Sequence, residues 1–146
     1  MDQTSPFNPD PEEILCSCQD ELPASVQEGL CLFNAGEYFQ AHEVLENVWR
    51  GEPRPIRELY RGILQVAVAY YHLGRGNLTG ARKMFRRSQV WLRAFPDMCQ
   101  GINLAQFRHD FEVVQAWVER FSPDQMFEFD QSLLKPIEFE VPQKPQ

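Results

Sequence analysis

Residues 30–45, LCLFNAGEYFQAHEVL, and residues 70–85, YYHLGRGNLTGARKMF, decide the fold when they are read side by side. At an offset of 40, Leu30, Phe33, Gly36, Ala41 and Leu45 fall on Tyr70, Leu73, Gly76, Ala81 and Phe85. Each copy carries apolar residues at helical spacing into a glycine, the residue that most readily ends a helix in the left-handed conformation. Five residues later each places an alanine, small enough for the returning helix to lie close. The pattern predicts two helix-turn-helix hairpins. Two copies are fewer than the roughly three repeats a solenoid needs, so the expected architecture is all-α: a compact bundle of about five to six helices built from two hairpins.

Outward from the repeat, the signals stay helical. The hairpins are similar to those of tetratricopeptide proteins, in which small residues sit where two helices cross. Leu22, Val26, Leu30 and Phe33 share one face of a helix predicted over 23–35, and a second runs over 38–50 to Gly51 and Pro53. A third spans 56–73, and a fourth is capped by Asn77 and stops before Pro96. Asn103 with Gln106 three residues on has the spacing of a capping box, which opens a fifth helix to about residue 121. Leu104, Phe107, Phe111, Val114 and Val118 form its buried stripe. A weaker helix is expected near 124–134. Residues 1–21 read as an N-terminal arm with one turn of helix after Asp10-Pro11-Glu12-Glu13, 22–135 as a single helical domain, and 136–146 as an extended tail. A chain of 146 residues can bury roughly 70% of its unfolded surface, enough for one core.

The net charge of −7 conceals a basic middle: residues 50–93 hold ten basic side chains against Glu52 and Glu58. Arg82, Arg86 and Arg93 share a strip, with Lys83 and Arg87 flanking it. Such a strip suits phosphates, yet the pI of 4.9 and the lack of interleaved exposed aromatics disfavour nucleic acid. The expected state is a solvated face or one paired with acidic segments. No apolar run approaches the ~18 residues of a membrane span, and Met1 to Pro6 lacks a leader pattern. No membrane association is expected, and the expected compartment is the cytoplasm. Cys16, Cys18, Cys31 and Cys99 are accordingly expected as reduced thiols. There is no Gly-rich phosphate loop, Gly-x-Ser-x-Gly elbow or recognisable Cys-His pairing.

One constellation carries chemistry. On the 38–50 helix His42 falls within the apolar arc, Glu46 at its edge, and Glu43 on the polar side with Asn47 and Arg50. The 56–73 helix is apolar nearly all round, except that Glu58, Arg61, Gln65 and His72 fall within a stripe about 60° wide, beside Gly62 and Ala69. If the two helices are neighbours, His42, Glu46 and Trp49 face Arg61, Gln65 and His72. The bland reading is a buried polar network in which Arg61 and Gln65 satisfy His42 and Glu46. A divalent metal held by His42, Glu46 and His72 is a second reading, although the motif is H-E-x-x-E and lacks the second histidine of zinc peptidases. A pocket in which Glu46 tunes His42 as general base is a third. His109 reads as solvent-exposed.

The segments FNAGEYFQAHEVLENVWR (33–50) and YRGILQVAVAYYHLGRGN (60–77) together resemble the domain-of-unknown-function family numbered 309, over about residues 22–121. The resemblance implies a compact all-helical bundle and a small prokaryotic cytosolic protein, and brings no activity. It implies that His42, Glu43, Glu46, Trp49, Gln65, His72, Arg75 and Asn77 belong to the family pattern. Arg61 departs from it, standing where glycine or glutamine is common. Asn77 is explained as a helix-end residue; Glu43 is not, and so points to binding near the start of its helix. The function expected first is an uncharacterised, non-enzymatic helical domain that binds another protein or self-associates, with no cofactor. The alternative is a metal- or small-ligand-binding protein of hydrolase type, with its site at His42, Glu46 and His72.

Overall fold

A computed structural model describes residues 7–141. In chain order these form α1 (Pro11–Cys18), α2 (Ala24–Asn34), α3 (Tyr38–Gly51), α4 (Arg57–Gly74), α5 (Leu78–Leu92), strands β1 (Met98–Cys99) and β2 (Ile102–Asn103), and α6 (Leu104–Arg120). Two short 3-10 turns follow, Pro123–Glu128 and Gln131–Leu133, where the weak helix was expected.

The 40-residue repeat is built into the backbone twice over. Gly36 and Gly76 both take left-handed conformations, at φ 81° and 74°. After α2 the Glu37 amide donates to the Leu32 carbonyl (2.9 Å) and Gly36 to Phe33 (2.9 Å); after α4 Asn77 donates to His72 (2.8 Å) and Gly76 to Leu73 (3.1 Å). This pair of bonds satisfies carbonyls that a helix end would leave orphaned. All eight apolar repeat positions, Leu30, Phe33, Ala41 and Leu45 with Tyr70, Leu73, Ala81 and Phe85, are buried. Each of α2 to α5 packs against its successor, most extensively α4 on α5. Close approach is built in: a Cβ at Gly29 would meet Leu45 Cγ at 2.7 Å, and one at Gly62 would meet Leu92 Cγ at 2.5 Å.

α5 and α6 cap one another. Arg82 of α5 donates to the Val118 carbonyl (2.8 and 3.0 Å) and to Phe121, beyond the end of α6. Arg108 of α6 donates to the Leu92 and Phe95 carbonyls at the end of α5 (3.2 and 3.1 Å). Cations at helix C-termini also meet the favourable end of the macrodipole. Arg86 pairs with Glu119 at 2.8 Å. The strip of Arg82, Arg86 and Arg93 is thus turned to α6, with Arg82 half-buried and Arg86 paired to an acidic residue.

The flanks are more integrated than an arm and a tail. α1 runs two turns, capped by the Asp10 carboxylate, which accepts from the Glu12 amide (3.0 Å). Ile14 is buried, and Phe7 packs on Trp91 and Phe95. Cys18 is bonded to Cys99 in a disulfide, which corrects the expectation of four reduced thiols; Cys16 and Cys31 are free and exposed. The cause is positional. A tight turn at Gln100, itself at φ 52°, presents Cys99 beside α1, and the Gln100 amide donates to the Cys18 carbonyl at 2.7 Å. The buried Gln100 side chain accepts from Tyr60 Oη (2.8 Å) and donates to the Ser17 carbonyl (3.2 Å). The described part of the tail is extended and docked: Asn34 holds both the amide and the carbonyl of Ile137 (2.7 and 2.9 Å), and Glu140 donates to Gly101 (2.9 Å).

Candidate functional site

α4 lies between α3 and α5 and is buried over most of its circumference. Its half-exposed side chains, Arg57, Arg61, Gln65, Val68, Tyr71 and His72, fall within about 120° on a helical wheel. They form the floor of a groove walled by α3 on one side and α5 on the other.

At one end of this floor Glu58 is the anchor, 7% exposed. Its Oε1 accepts from Trp49 Nε1 (2.9 Å) and its Oε2 meets Arg61 Nη2 (3.1 Å). The Arg61 guanidinium lies over both tryptophans that border the groove, 4.6 Å from the Trp49 ring centroid and 4.2 Å from that of Trp91. Arg57 also lies over Trp49 (4.6 Å) and donates from Nε to its carbonyl (3.2 Å). Each such cation–π contact contributes about 0.5–2 kcal/mol, depending on desolvation. Burial pulls the Arg61 guanidinium below its ordinary pKa, with Glu58 acting in the opposite direction. Phe7, Asn8, Pro9, Pro53 and Pro55 complete a hollow of about 350 Å³ over Arg57, Glu58 and Arg61.

The other expected partnerships resolve differently. His42 Nε2 lies 3.2 Å from Glu46 Oε2, and Glu46 Oε1 pairs with Arg50 at 2.7 Å, so the His-Glu pair closes within α3 and leaves Arg61 and Gln65 unused. His72 does not join it. The antiparallel register sets Phe39 against Tyr71 (5.3 Å) at one end and Trp49 against Glu58 at the other, which places His42 opposite a point about one turn before His72 on α4. His72 turns to α5: its Nδ1 lies 3.3 Å from Asn77 Nδ2, and a Cβ on Gly80 would come within 2.8 Å of its ring. Burial, then Arg75, lowers the His72 pKa. Among the described residues no group of three or more His, Cys, Asp or Glu side chains is placed to hold a metal ion. The His42, Glu46 and His72 ligand set is therefore not assembled. Glu43 and Arg75 are exposed, Arg75 against the Tyr71 hydroxyl (3.2 Å), and His109 is exposed as expected.

Glu58, Arg57 and Trp91 are the members of the site that sequence reasoning left out. Glu58 is visible in the α4 stripe, but a helical wheel counts Trp91 among the apolar residues of its helix. The missing consideration is that a central helix presents its polar stripe to two walls.

The groove holds an uncommon concentration of unmatched polar atoms. His42 Nδ1, Arg61 Nε, Gln65 Oε1 and Trp91 Nε1 are buried atoms with no hydrogen-bond partner among the described residues, as is Tyr70 Oη in the core. Buried polar atoms are nearly always bonded, and each exception costs about 1–3 kcal/mol. Four of these five belong to the α4 strip or to the helices beside it.

The model of the family described as Domain of unknown function (DUF309) matches residues 26–84, which run from α2 into α5. An uncharacterized protein of Aquifex aeolicus (strain VF5) is 28% identical over 102 residues, 69% of this chain and 31% of the relative. The uncharacterized protein YpuF of Bacillus subtilis (strain 168) is 41% identical over 59 residues, 40% of this chain and 34% of the relative. The matches thus cover about a third of the length of these curated relatives. No helix among the described residues is long and apolar enough to cross a membrane. The region that matches the family model, residues 26–84, holds the floor of the groove, its α3 wall and the first half of α5.

Proposed function

We propose that this chain is a protein-interaction module whose groove over α4 receives an extended segment of another chain. The observation that carries the reading is the row of orphaned polar atoms. Arg61 Nε and Trp91 Nε1 are donors in search of an acceptor, and Gln65 Oε1 is an acceptor in search of a donor. An extended main chain offers carbonyls and amides alternately and so supplies both kinds. The side chains concerned are only partly buried, so a change of rotamer of the kind common at interfaces brings each atom to the groove surface. Neither a membrane nor a nucleic acid is part of this reading. The cytoplasm is its compartment, and titration of free thiols in protein quenched directly from cells checks that placement against the Cys18–Cys99 bond, which reducing compartments disfavour.

The test is a photo-crosslinking residue at Val68, in the groove floor, compared with one at Val113, exposed on α6. Adducts of defined mass from position 68 and none from 113 support the groove. Absence of adducts at 68, or equal yields at both, overturns it. Light scattering separates a second copy from a different protein as the occupant.

A further inference from the structure

The charges bordering this groove identify the chemistry of what enters it; the inference rests on the docking reading above. The two carboxylates nearest its floor are already engaged, Glu46 by His42 and Arg50, and Glu58 by Trp49 and Arg61. The cations are not. Among the described residues, no carboxylate is paired with Arg57, Arg75, Lys83 or Arg87, while Arg86 and Arg108 each have one and Arg54 has two. Arg57 stands at the first turn of α4 and Arg75 just past its last. On α5, Arg87 falls about 40° from Trp91 at the 100° helical step, on the groove side, and Lys83 stands next to it on the outer face, between Arg87 and the strip turned to α6. Both are exposed. A protein of net charge −7 therefore keeps Arg57, Arg75 and Arg87 beside one concavity without an ion-pair partner among the described residues. Apolar surface lies beside it: Phe39 is 48% exposed and Val90 38%.

We infer that the occupant is an acidic segment of a partner protein, extended, with carboxylates interspersed among apolar side chains. α4 is about 27 Å long at 1.5 Å per residue, the span of roughly eight extended residues. Nucleic acid fits less well. Base stacking needs free aromatic faces, and Arg57 and Arg61 lie over Trp49 while Arg61 also covers Trp91.

The experiment uses the full chain and three fluorescein-labelled octapeptides read by anisotropy: one alternating Glu or Asp with Leu or Phe, its Gln/Asn counterpart, and its Lys counterpart. The acidic peptide is expected to bind about tenfold or more tightly than the amide version, with affinity falling as salt rises. The double variant Lys83→Gln/Arg87→Gln is expected to weaken it about tenfold with an unchanged melting temperature, whereas Arg93→Gln, on the opposite side of the same helix, leaves it within about twofold. Equal binding of acidic and amide peptides overturns the acidic assignment and leaves the groove reading standing. Tighter binding of a labelled oligothymidylate overturns it in favour of nucleic acid. A self-association lost on Lys83→Gln/Arg87→Gln overturns it in favour of a second copy. No binding by any peptide, together with no adduct at position 68, removes both readings.

Discussion

The hairpins α2–α3 and α4–α5 use the same backbone devices and yet differ in what their first helices carry. Both end those helices at a left-handed glycine and seat an alanine and a large apolar residue in the core. α2, however, packs extensively on one helix of the repeat region, α3, with Phe33 reaching Tyr70 of α4, and α4 is flanked by two. Only α4 can form a floor with walls, and only its partly exposed side carries Arg57, Arg61, Gln65 and His72. The repeat unit specifies the fold, and the junction between repeats creates the site.

The sharpest way to break this comparison is to empty equivalent core positions. Phe85→Ala removes a ring packed against Tyr70 and Phe111, and about 3–5 kcal/mol of stability should go with it. Leu45→Ala, at the matching site of the first hairpin, should cost about 2–5 kcal/mol. Urea unfolding measures both. A loss under about 1 kcal/mol at either site, well below the range for buried large-to-small changes, would show that one hairpin is dispensable and that the equivalence is only formal.

The second comparison sets the repeats against the flanks. The Cys18–Cys99 bond joins residues 81 apart, so reducing it, or making Cys18→Ser, should cost about 2–4 kcal/mol, largely through the unfolded chain's regained freedom. An unchanged denaturation midpoint would mean that α1 and the β1–β2 turn contribute nothing to the stability of the helical core.

How legible each region was follows from the range of the interactions that define it. The hairpins were readable because a glycine, a cap residue and apolar spacing act within about two turns of the chain. The disulfide and the Asn34–Ile137 clasp join residues 81 and 103 apart, and pairing at such separations leaves no local trace. In the site, the i,i+4 spacing of His42 and Glu46 was legible, but the second partner was Arg50, one more turn along the same helix, in place of Arg61 across the groove. Arg61 itself was expected beside Trp49 and not beside Trp91, since a wheel counts tryptophan as apolar and says nothing of the cation above it.

That correction changes what two carboxylates should contribute. Glu46 pairs at the surface, 31% exposed, where ion pairs contribute about 0.2–1 kcal/mol. Glu58 is buried with both oxygens engaged, and Glu58→Ala strands a guanidinium and an indole N–H, at a cost of about 1–3 kcal/mol. Thermal melts of Glu58→Ala and Glu46→Ala should therefore separate clearly. Equal losses would place the polar centre of the groove at the His42 end, as the sequence alone suggested.

The smallest effect tests the repeat most directly. Gly36 and Gly76 hold nearly the same left-handed conformation, and a Cβ on either would meet nothing within 4 Å, so an alanine there is penalised by backbone conformation alone. That penalty is about 1–2 kcal/mol, reduced by up to about 1 kcal/mol because alanine also restricts the unfolded chain. Gly36→Ala and Gly76→Ala should each lose somewhat under 1 kcal/mol net, in equal measure. If Gly76→Ala costs distinctly more, the second turn is held by something the first lacks, and the contact to suspect is Asn77, whose side chain caps α5 through Gly80 (2.9 Å) while also touching His72. Such an asymmetry would tie the geometry of that turn to His72 at the far end of the groove, and the two hairpins would then differ in their backbones as well as in their surfaces.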